Sequence, residues 1–544
     1  MDSASGSARG RRLLDPAGVV AIAVASVWIA LATAALRGAL PVPYAPIVFL
    51  IGPFAAAAAL LASGWRMSRA AWAAVAAAVL AAAALIGSLM IESGSLIAVG
   101  APIAVATGVL AHRFPVAVTV ALLALTGAVG TILVYTDLPP RYLVDAPLAG
   151  LVGALLWRAA LDPDRPAHLV PVSVAVVLAY VAISLGQVLA APSFSAAQQA
   201  FHNSTWQMLA LPAIAFAGWS LATRLKVARG YVAVAALVAA YAVLRLIVGP
   251  SEAERELALE LAPINLLPSG DLGLFGSATN RQQLAAWCGM AIPFSLALAL
   301  ALRGRWRLVA ILTATLTGVA VVGSQTRVGL IGAVIGLGTV LALFALARSF
   351  PGLRMGGVVV AATGLLVALG IGLAVTDDGS NQVAERFSQI VDPYADPSFG
   401  ARIATWENTI EDIGERPWGY GIGSSGAVGL SFASTSGFDP SAQGGVAIDN
   451  SYLKVGYEQG LVMMVVFALA LLLTFGALCR IAVTLADPAA AAIAIAAAAA
   501  FSSFLVNLTL TDNIEDFTAL TAWVLAGLGL AGLGTKRGAA ATRS

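Results

Sequence analysis

The feature that most constrains the fold of this chain is a succession of apolar stretches, each about 20 residues long, that recurs along most of the sequence. A helix of that length spans the hydrocarbon core of a bilayer and satisfies its backbone hydrogen bonds internally. Only 11% of the residues are charged, whereas soluble domains carry about a quarter. We therefore expect an all-α polytopic membrane protein with about 14–16 transmembrane helices.

The candidate spans lie at roughly these positions: 17–36, 44–63, 70–91, 95–111, 115–135, 145–160, 168–190, 206–223, 231–249, 282–302, 308–323, 328–347, 356–375, 455–478, 488–507 and 517–534. They divide the chain into three parts. Residues 1–375 form an N-terminal bundle of about 13 spans. A long loop occupies 376–453, and residues 454–544 add about three spans.

The distribution of charge predicts the orientation of these spans. When the loops are assigned alternately inside and outside from a cytoplasmic N-terminus, each short inside loop contains Lys or Arg and most acids fall outside. Basic residues in short loops mark the cytoplasmic side. We therefore expect both termini in the cytoplasm and the long loop on the outer side of the membrane. The net charge of +2 gives no indication of nucleic-acid binding.

The cysteines and histidines do not indicate a metal centre. Cys288 and Cys479 both lie in apolar runs without the spacing of a disulfide pair or metal site. The three histidines, His112, His168 and His202, are too widely separated in sequence to suggest a zinc site.

Two outside segments are long enough to contain structure of their own. Segment 250–281 is acidic and is expected to be partly helical after Ser251. The loop at 376–453 far exceeds the usual connection length, which favours a functional role. Within it, Ser398 is a candidate cap for a helix that would end before Pro417.

Three arginines are predicted to lie at the outer side of the membrane: Arg281, Arg327 and Arg402. The planar guanidinium suits bidentate contact with phosphate oxygens and stays charged at any relevant pH. Arg327 begins a span, which places its charge at headgroup depth. Because span centres are almost free of ionisable residues, an ion-coupled transporter is disfavoured.

Simpler explanations exist for the arginines. Arg327 could be a helix-end residue that snorkels to the interface. It nevertheless lies on the outer side, against the prevailing positive-inside bias. Arg402 could pair with Glu407 or a nearby acid on a solvated helix.

Asp449 and its neighbours allow similar alternatives. Asp449 or Asn450 could cap the following helix, or Asp449 could accept a proton from an attacking sugar hydroxyl. Glu458 could support Asp449 or pair with Lys454, four residues earlier. The glycines at 419, 421 and 423 could let backbone approach a glycan or phosphate closely, or could form a flexible loop.

The order of these motifs resembles the O-antigen ligase and polymerase superfamily. The similarity covers about residues 275–460 and rests on Gly276-Ser-Ala-Thr-Asn-Arg-Gln-Gln-Leu-Ala285, Ser324-Gln-Thr-Arg-Val-Gly329, Gly400-Ala-Arg-Ile-Ala-Thr-Trp406, Arg416-Pro-Trp-Gly-Tyr-Gly-Ile-Gly423 and Asp449-Asn-Ser-Tyr-Leu-Lys-Val-Gly-Tyr-Glu-Gln-Gly460. The fourth resembles the family's Pro-x-x-Gly-x-Gly element. The last resembles its His-Asn-x-x-Leu…Glu-x-Gly element.

The resemblance implies an all-helical membrane glycosyltransferase fold of the GT-C-like type. It implies a glycan donor on a polyprenyl diphosphate, with no nucleotide sugar, metal ion or other cofactor. It also implies that Arg327 and Arg402 engage the diphosphate, and that an acceptor hydroxyl attacks the anomeric carbon directly with inversion. Asp449, Arg327 and Arg402 are thus the candidate catalytic residues. The candidate substrate-binding residues are Asn280, Arg281, Trp406, Gly421, Gly423, Asn450, Tyr452 and Glu458.

One departure from the ligase pattern matters. Ligases carry a histidine before the Asn, whereas this chain has Asp449. This difference favours the polymerase branch, in which lipid-linked repeats are joined into an O-antigen, capsule or exopolysaccharide. The expected partners are polyprenyl-diphosphate-linked glycans, as donor and acceptor, membrane lipid and a chain-length regulator. A ligase or protein oligosaccharyltransferase is the first alternative, and a lipid-linked glycan flippase or other transporter is the second.

Overall fold

A computed structural model describes residues 110–136, 140–161, 171–191, 193–261, 272–350, 397–426, 448–512 and 517–531, together with residues 104, 107, 108, 265 and 514. All regular elements among them are helices. The predicted all-α polytopic class is therefore confirmed.

The helices, numbered along the chain, are α1 Pro115–Gly127, α2 Val129–Thr136, α3 Pro140–Leu161, α4 Val172–Leu189, α5 Phe194–Ser204, a 3₁₀ turn Trp206–Leu209, α6 Ala210–Ala215, α7 Leu221–Val248, α8 Glu252–Leu261, α9 Arg281–Ala301, α10 Arg305–Gly323, α11 Arg327–Leu346, α12 Pro397–Glu415, α13 Ser451–Gln459, α14 Leu461–Thr484, α15 Pro488–Leu510 and α16 Phe517–Leu530.

Seven of the described helices are long and apolar enough to cross a membrane: α4, α7, α9, α10, α11, α14 and α15. The predicted span 115–135 is instead the pair α1 and α2, bent by 72° at residue 128. Residues 1–103, which hold several predicted spans, lie outside the described residues. The full span count therefore stays a prediction.

The long helices differ in how much of their apolar surface is buried inside the protein. In α9 and α15, 89% and 83% of the apolar window is buried, whereas in α14 the share is 33%. Polar side chains in the interior form hydrogen bonds between helices. Trp287 Nε1 donates to Thr521 Oγ1 at 3.1 Å, and Thr126 Oγ1 lies 2.9 Å from Thr521 Oγ1. Such bonds satisfy groups that no water reaches.

Glycines on α11 fix the relative direction of the central helices. A Cβ added to Gly329 would lie 2.6 Å from Ala285 Cβ of α9, and one on Gly336 would lie 2.6 Å from Pro293 Cγ. Successive turns of α11 therefore meet successive turns of α9, so the two helices run in parallel. Their first residues, Arg281 and Arg327, lie at the same end of the bundle.

The predicted span at 206–223 is wrong. Only a 3₁₀ turn and the six-residue α6 form there, and the next helix begins at Leu221, ten residues before the predicted start at 231. The chain returns between α4 and α7 through α5, the 3₁₀ turn and α6, with a break at Thr205. The polar run from His202 to Gln207 explains the break, because short polar side chains compete for backbone hydrogen bonds within a helix.

Two helices outside the long spans form in the segments where the sequence predicts them. Helix α8 begins after Ser251, whose Oγ accepts a hydrogen bond from Glu254 N at 3.3 Å while Glu254 Oε2 accepts from Ser251 N at 2.7 Å. This reciprocal pair is a capping box. Helix α12 ends before Pro417 as predicted, but it already begins at Pro397, so Ser398 lies within its first turn and is not its cap.

Much of the long loop falls outside the described residues, namely 376–396 and 427–447. The same holds for the predicted span at 356–375. The three-part division of the chain therefore remains a prediction.

Candidate functional site

The carboxyl-terminal end of α15 is the point at which the predicted motifs meet. Arg402 Nη1 donates to Leu510 O at 3.2 Å, and Asn450 Nδ2 donates to Thr509 O at 3.0 Å. Ser451 Oγ donates to the next carbonyl, that of Thr511, at 3.1 Å. The last carbonyls of a helix lack partners within it, and its carboxyl end attracts cations. The two loop motifs thus bind to one helix end.

Arg402 and Asp449 are brought together as the shared outer location of their motifs suggested. Arg402 Nε lies 3.3 Å from Asp449 Oδ2, with 26% and 49% of the two side chains exposed. The guanidinium therefore bridges a carboxylate and a helix end. Both charges remain accessible to a ligand. The acid that pairs with Arg402 is Asp449, from a distant segment, rather than Glu407 on the same helix.

The capping role considered for Asp449 belongs to Asn450. Asn450 Oδ1 accepts from Tyr452 N at 3.0 Å and from Leu453 N at 3.1 Å at the start of α13. Asn450 thus joins α13 to α15 with its two amide atoms. The Asp449 carboxylate turns towards Arg402 instead.

Arg327 lies at the same end of the bundle. A Cβ on Gly332 of α11 would lie 2.8 Å from Ser503 Oγ, and one on Gly336 would lie 2.9 Å from Ala499 O. Helices α11 and α15 therefore run in opposite directions. The start of α11 consequently faces the end of α15, where Arg402 binds.

The turn that presents Arg327 is strained. Gln325 has a φ of 53°, which is uncommon for a residue with a side chain. Ser324 Oγ stabilises the turn by accepting from Thr326 N at 3.2 Å. Backbone strain of this kind tends to persist where function requires it.

Arg281 joins the same end through its backbone. Its carbonyl accepts from Thr326 Oγ1 at 3.4 Å, which ties the start of α9 to the turn before α11. The preceding Asn280 caps α9, because its Oδ1 accepts from Gln283 N at 2.8 Å. Asn280 thus has a structural role, while Arg281 begins the helix.

The glycine-rich segment 419–426 packs closely on α13. Tyr420 N donates to Tyr457 O at 2.8 Å, and Gly421 N donates to Glu458 O at 2.9 Å. Gly423 has φ +85°, and a Cβ there would lie 2.7 Å from Ala196 O of α5. These glycines therefore allow close approach to the protein's own backbone. The flexible-loop alternative is wrong for these residues.

Glu458 is buried and fixes this segment from within. Its Oε1 accepts from Ser425 N at 3.2 Å and from Ser425 Oγ at 2.6 Å. Lys454 Nζ, also buried, lies 2.7 Å from Asp512 Oδ2 beyond the end of α15. Helix α13 therefore links the glycine-rich segment to the α15 end.

The two aromatic candidates are also placed by α12 and α13. Tyr452 packs against Phe467 of α14, with ring centroids 5.7 Å apart, and burial raises the pKa of Tyr452 to about 12. Trp406 is half-buried on α12, one turn after Arg402. Tyr452 thus supports α13 by packing, and its hydroxyl stays protonated near neutral pH.

The sequence analysis missed a polar centre at the break between α5 and the 3₁₀ turn. His202 Nε2 lies 2.9 Å from Asp145 Oδ2, and Trp206 Nε1 donates to Asp145 Oδ1 at 3.0 Å. Nearby on the chain, Asn203 Oδ1 and Gln207 Oε1 are buried and have no hydrogen-bond partner among the described residues. The signal was the polar run His202–Thr205, followed by Gln207, which begins just before a predicted span.

One family model matches the part of the chain that contains this site. Residues 312–468 match a family model described as O-antigen ligase. The matched region runs from α10 into α14 and contains Arg327, Arg402 and Asp449. This match supports the resemblance to the O-antigen ligase and polymerase superfamily seen in the motifs. A comparison with curated proteins gave no match.

Proposed function

We propose that this protein polymerises polyprenyl-diphosphate-linked oligosaccharide repeat units into a surface polysaccharide. The polymer would be an O-antigen, a capsule or an exopolysaccharide. The reaction would take place at the outer face of the inner membrane, where the α15 end and the starts of α9 and α11 meet. The observation that carries the proposal is the Arg402–Asp449 pair on the α15 end, inside the matched region.

In the proposed reaction, a hydroxyl of the acceptor repeat attacks the anomeric carbon of the donor glycan. A new glycosidic bond forms, the bond between that carbon and the diphosphate oxygen breaks, and the diphosphate leaves with the electron pair. Arg327 and Arg402 offset the negative charge that develops on the leaving group. Asp449 accepts the proton of the attacking hydroxyl.

The ion pair in the structure supports an order of events. In the structure, Arg402 pairs with Asp449. A diphosphate carries more negative charge than one carboxylate and can bind a guanidinium in bidentate fashion. Donor binding would therefore draw Arg402 away from Asp449 and free this carboxylate to accept a proton.

A ligase or a protein oligosaccharyltransferase would use the same donor and differ in the acceptor. The description of the matching family as O-antigen ligase favours this alternative. The Asp at position 449, where ligases carry a histidine, favours the polymerase.

Analysis of carrier-linked glycans in a deletion strain separates these functions. A polymerase predicts that single, unextended repeats accumulate on the carrier lipid. Accumulation of long, untransferred polymer would instead indicate a ligase. A flippase would be indicated if the purified protein, supplied with carrier-linked repeats, formed no glycosidic bond.

Complementation of that strain tests the proposed residues. We expect Asp449→Asn and Arg327→Lys each to abolish chain extension at unchanged membrane abundance, because each removes a group assigned to the reaction. Arg303, an exposed arginine at the other end of α9, provides the matched control. The Arg303→Lys variant should extend polysaccharide chains as the wild type does. Polymer of wild-type length in both site variants would rule out the assignment.

A further inference from the structure

Trp418 is the most exposed large apolar side chain in the described part of the protein, at 80% of its surface. It occupies a tight turn, in which Gly419 N donates to Arg416 O at 2.9 Å. Exposing an indole ring to water is unfavourable by the hydrophobic effect. An apolar contact that removes this ring from water would therefore be favourable.

The turn is attached to the first residue of a membrane-spanning helix. Leu461 N, at the start of α14, donates to Pro417 O at 2.8 Å. A Cβ on Gly460 would lie 2.7 Å from the carbonyl carbon of Trp418. Trp418 thus lies next to the first turn of α14, at its amino-terminal end.

Below Trp418, α14 presents an apolar stripe at helical spacing. Its members are exposed by 45–60%: Leu461 45%, Val462 60%, Val465 48%, Leu469 46% and Leu472 60%. Because α14 is a spanning helix with only a third of its apolar window buried, this stripe faces lipid. Trp418 continues the stripe at the membrane surface.

Tryptophan is the residue that most favours this depth, since its ring is apolar while its N–H needs a polar partner. Arg416, two residues earlier, is exposed and could reach headgroup phosphates. We propose that Trp418 inserts into the headgroup layer of the bilayer and anchors the glycine-rich segment and α12 there. Because α13 connects this segment to Arg402 and Asp449, the anchor would fix their depth. On the proposed function, that is the depth of the donor diphosphate.

The depth of position 418 can be measured without any reaction. In a chain carrying Cys288→Ala and Cys479→Ala, a nitroxide is attached at Trp418→Cys or, as a matched control, at Glu407→Cys on the exposed side of α12. Each protein is reconstituted in phosphatidylcholine vesicles. The label is then exposed to oxygen, which partitions into lipid, and to a water-soluble nickel chelate.

We expect the label at 418 to collide more with oxygen and to be shielded from nickel, and the label at 407 to behave in the opposite way. Equal nickel accessibility at the two positions would overturn the proposal. So would protection of position 418 that arises only when carrier-linked glycan is added, because the ring would then be a sugar-binding platform. Since no turnover is involved, the result is independent of the proposed function.

A second measurement uses chain extension. Trp418→Ala should lower the extension rate several-fold at unchanged abundance, whereas Trp418→Tyr, which also favours the interface, should restore it. Equal rates for the two variants would contradict an anchoring role.

Discussion

Single residues at the α15 end combine structural and chemical roles. Arg402 binds the carbonyl of Leu510 and the carboxylate of Asp449 at the same time. The first contact holds the guanidinium in place. On the proposed function, the second contact occupies the face that the donor diphosphate would need, and the pair would act as an anion site closed by Asp449.

This arrangement predicts opposite effects of two substitutions on donor binding. Asp449→Asn removes the competing charge, so donor should bind at least as tightly as in the wild type although extension is lost. Arg402→Lys removes bidentate contact and should weaken donor binding by about tenfold or more. Binding of carrier-linked repeats to the purified variants measures both effects. Weaker donor binding by Asp449→Asn would contradict the competition.

Asn450 provides a test of structure alone. Asn450→Ala removes the cap of α13 and the bond to Thr509, and should destabilise the protein by about 1 kcal/mol or more. Thermal unfolding in detergent checks this value. Asn408→Ala, on the exposed side of α12, is the control and should leave the melting temperature nearly unchanged. An unchanged melting temperature for Asn450→Ala would show that the cap contributes little.

At the scale of elements, the glycine-rich segment is a fixed connector between α13 and α5. Gly419 has φ +84°, and a Cβ there would lie 2.6 Å from Glu458 O. Its conformation and its surroundings both exclude a side chain. The segment therefore contributes to the site by its shape and by its backbone bonds to α13.

Two glycine-to-alanine variants test this interpretation. Gly419→Ala should destabilise the protein by at least about 1–2 kcal/mol, the cost of a left-handed backbone for an L-residue, before any steric clash. Gly414→Ala lies inside α12 with open space around the new methyl group and should stabilise by about 0.5–1 kcal/mol. Thermal unfolding of both variants in detergent measures these changes in stability. Equal shifts for the two variants would show that backbone conformation at 419 does not matter.

Long apolar elements were predictable from the sequence because bilayer thickness sets their length. Helices α9, α10, α11 and α15 begin within a few residues of their predicted positions. The return between α4 and α7 was not predictable in the same way, since its polar run breaks the hydropathy signal. The pairing of Asp145 with His202 and Trp206 was also missed, because tertiary packing joins residues far apart in the chain.

At the scale of the whole molecule, one end of the bundle collects the charged motifs. The starts of α9 and α11 and the end of α15 meet there, with α12 and α13 across them. Sequence order could indicate that Arg402 and Asp449 share a side of the membrane. It could not show that the motifs containing these two residues bind the same helix end, because those contacts depend on the packing of α12 and α13 on α15.

On the proposed function, this end of the bundle faces away from the cytoplasm. Ala404→Cys, exposed on α12, and Ala486→Cys, exposed in the loop between α14 and α15 at the opposite end, are compared in a chain without other cysteines. Intact cells are treated with a membrane-impermeant maleimide. We expect labelling of position 404 in intact cells, and of position 486 only after the inner membrane is permeabilised. Labelling at 486 but not at 404 in intact cells would contradict it.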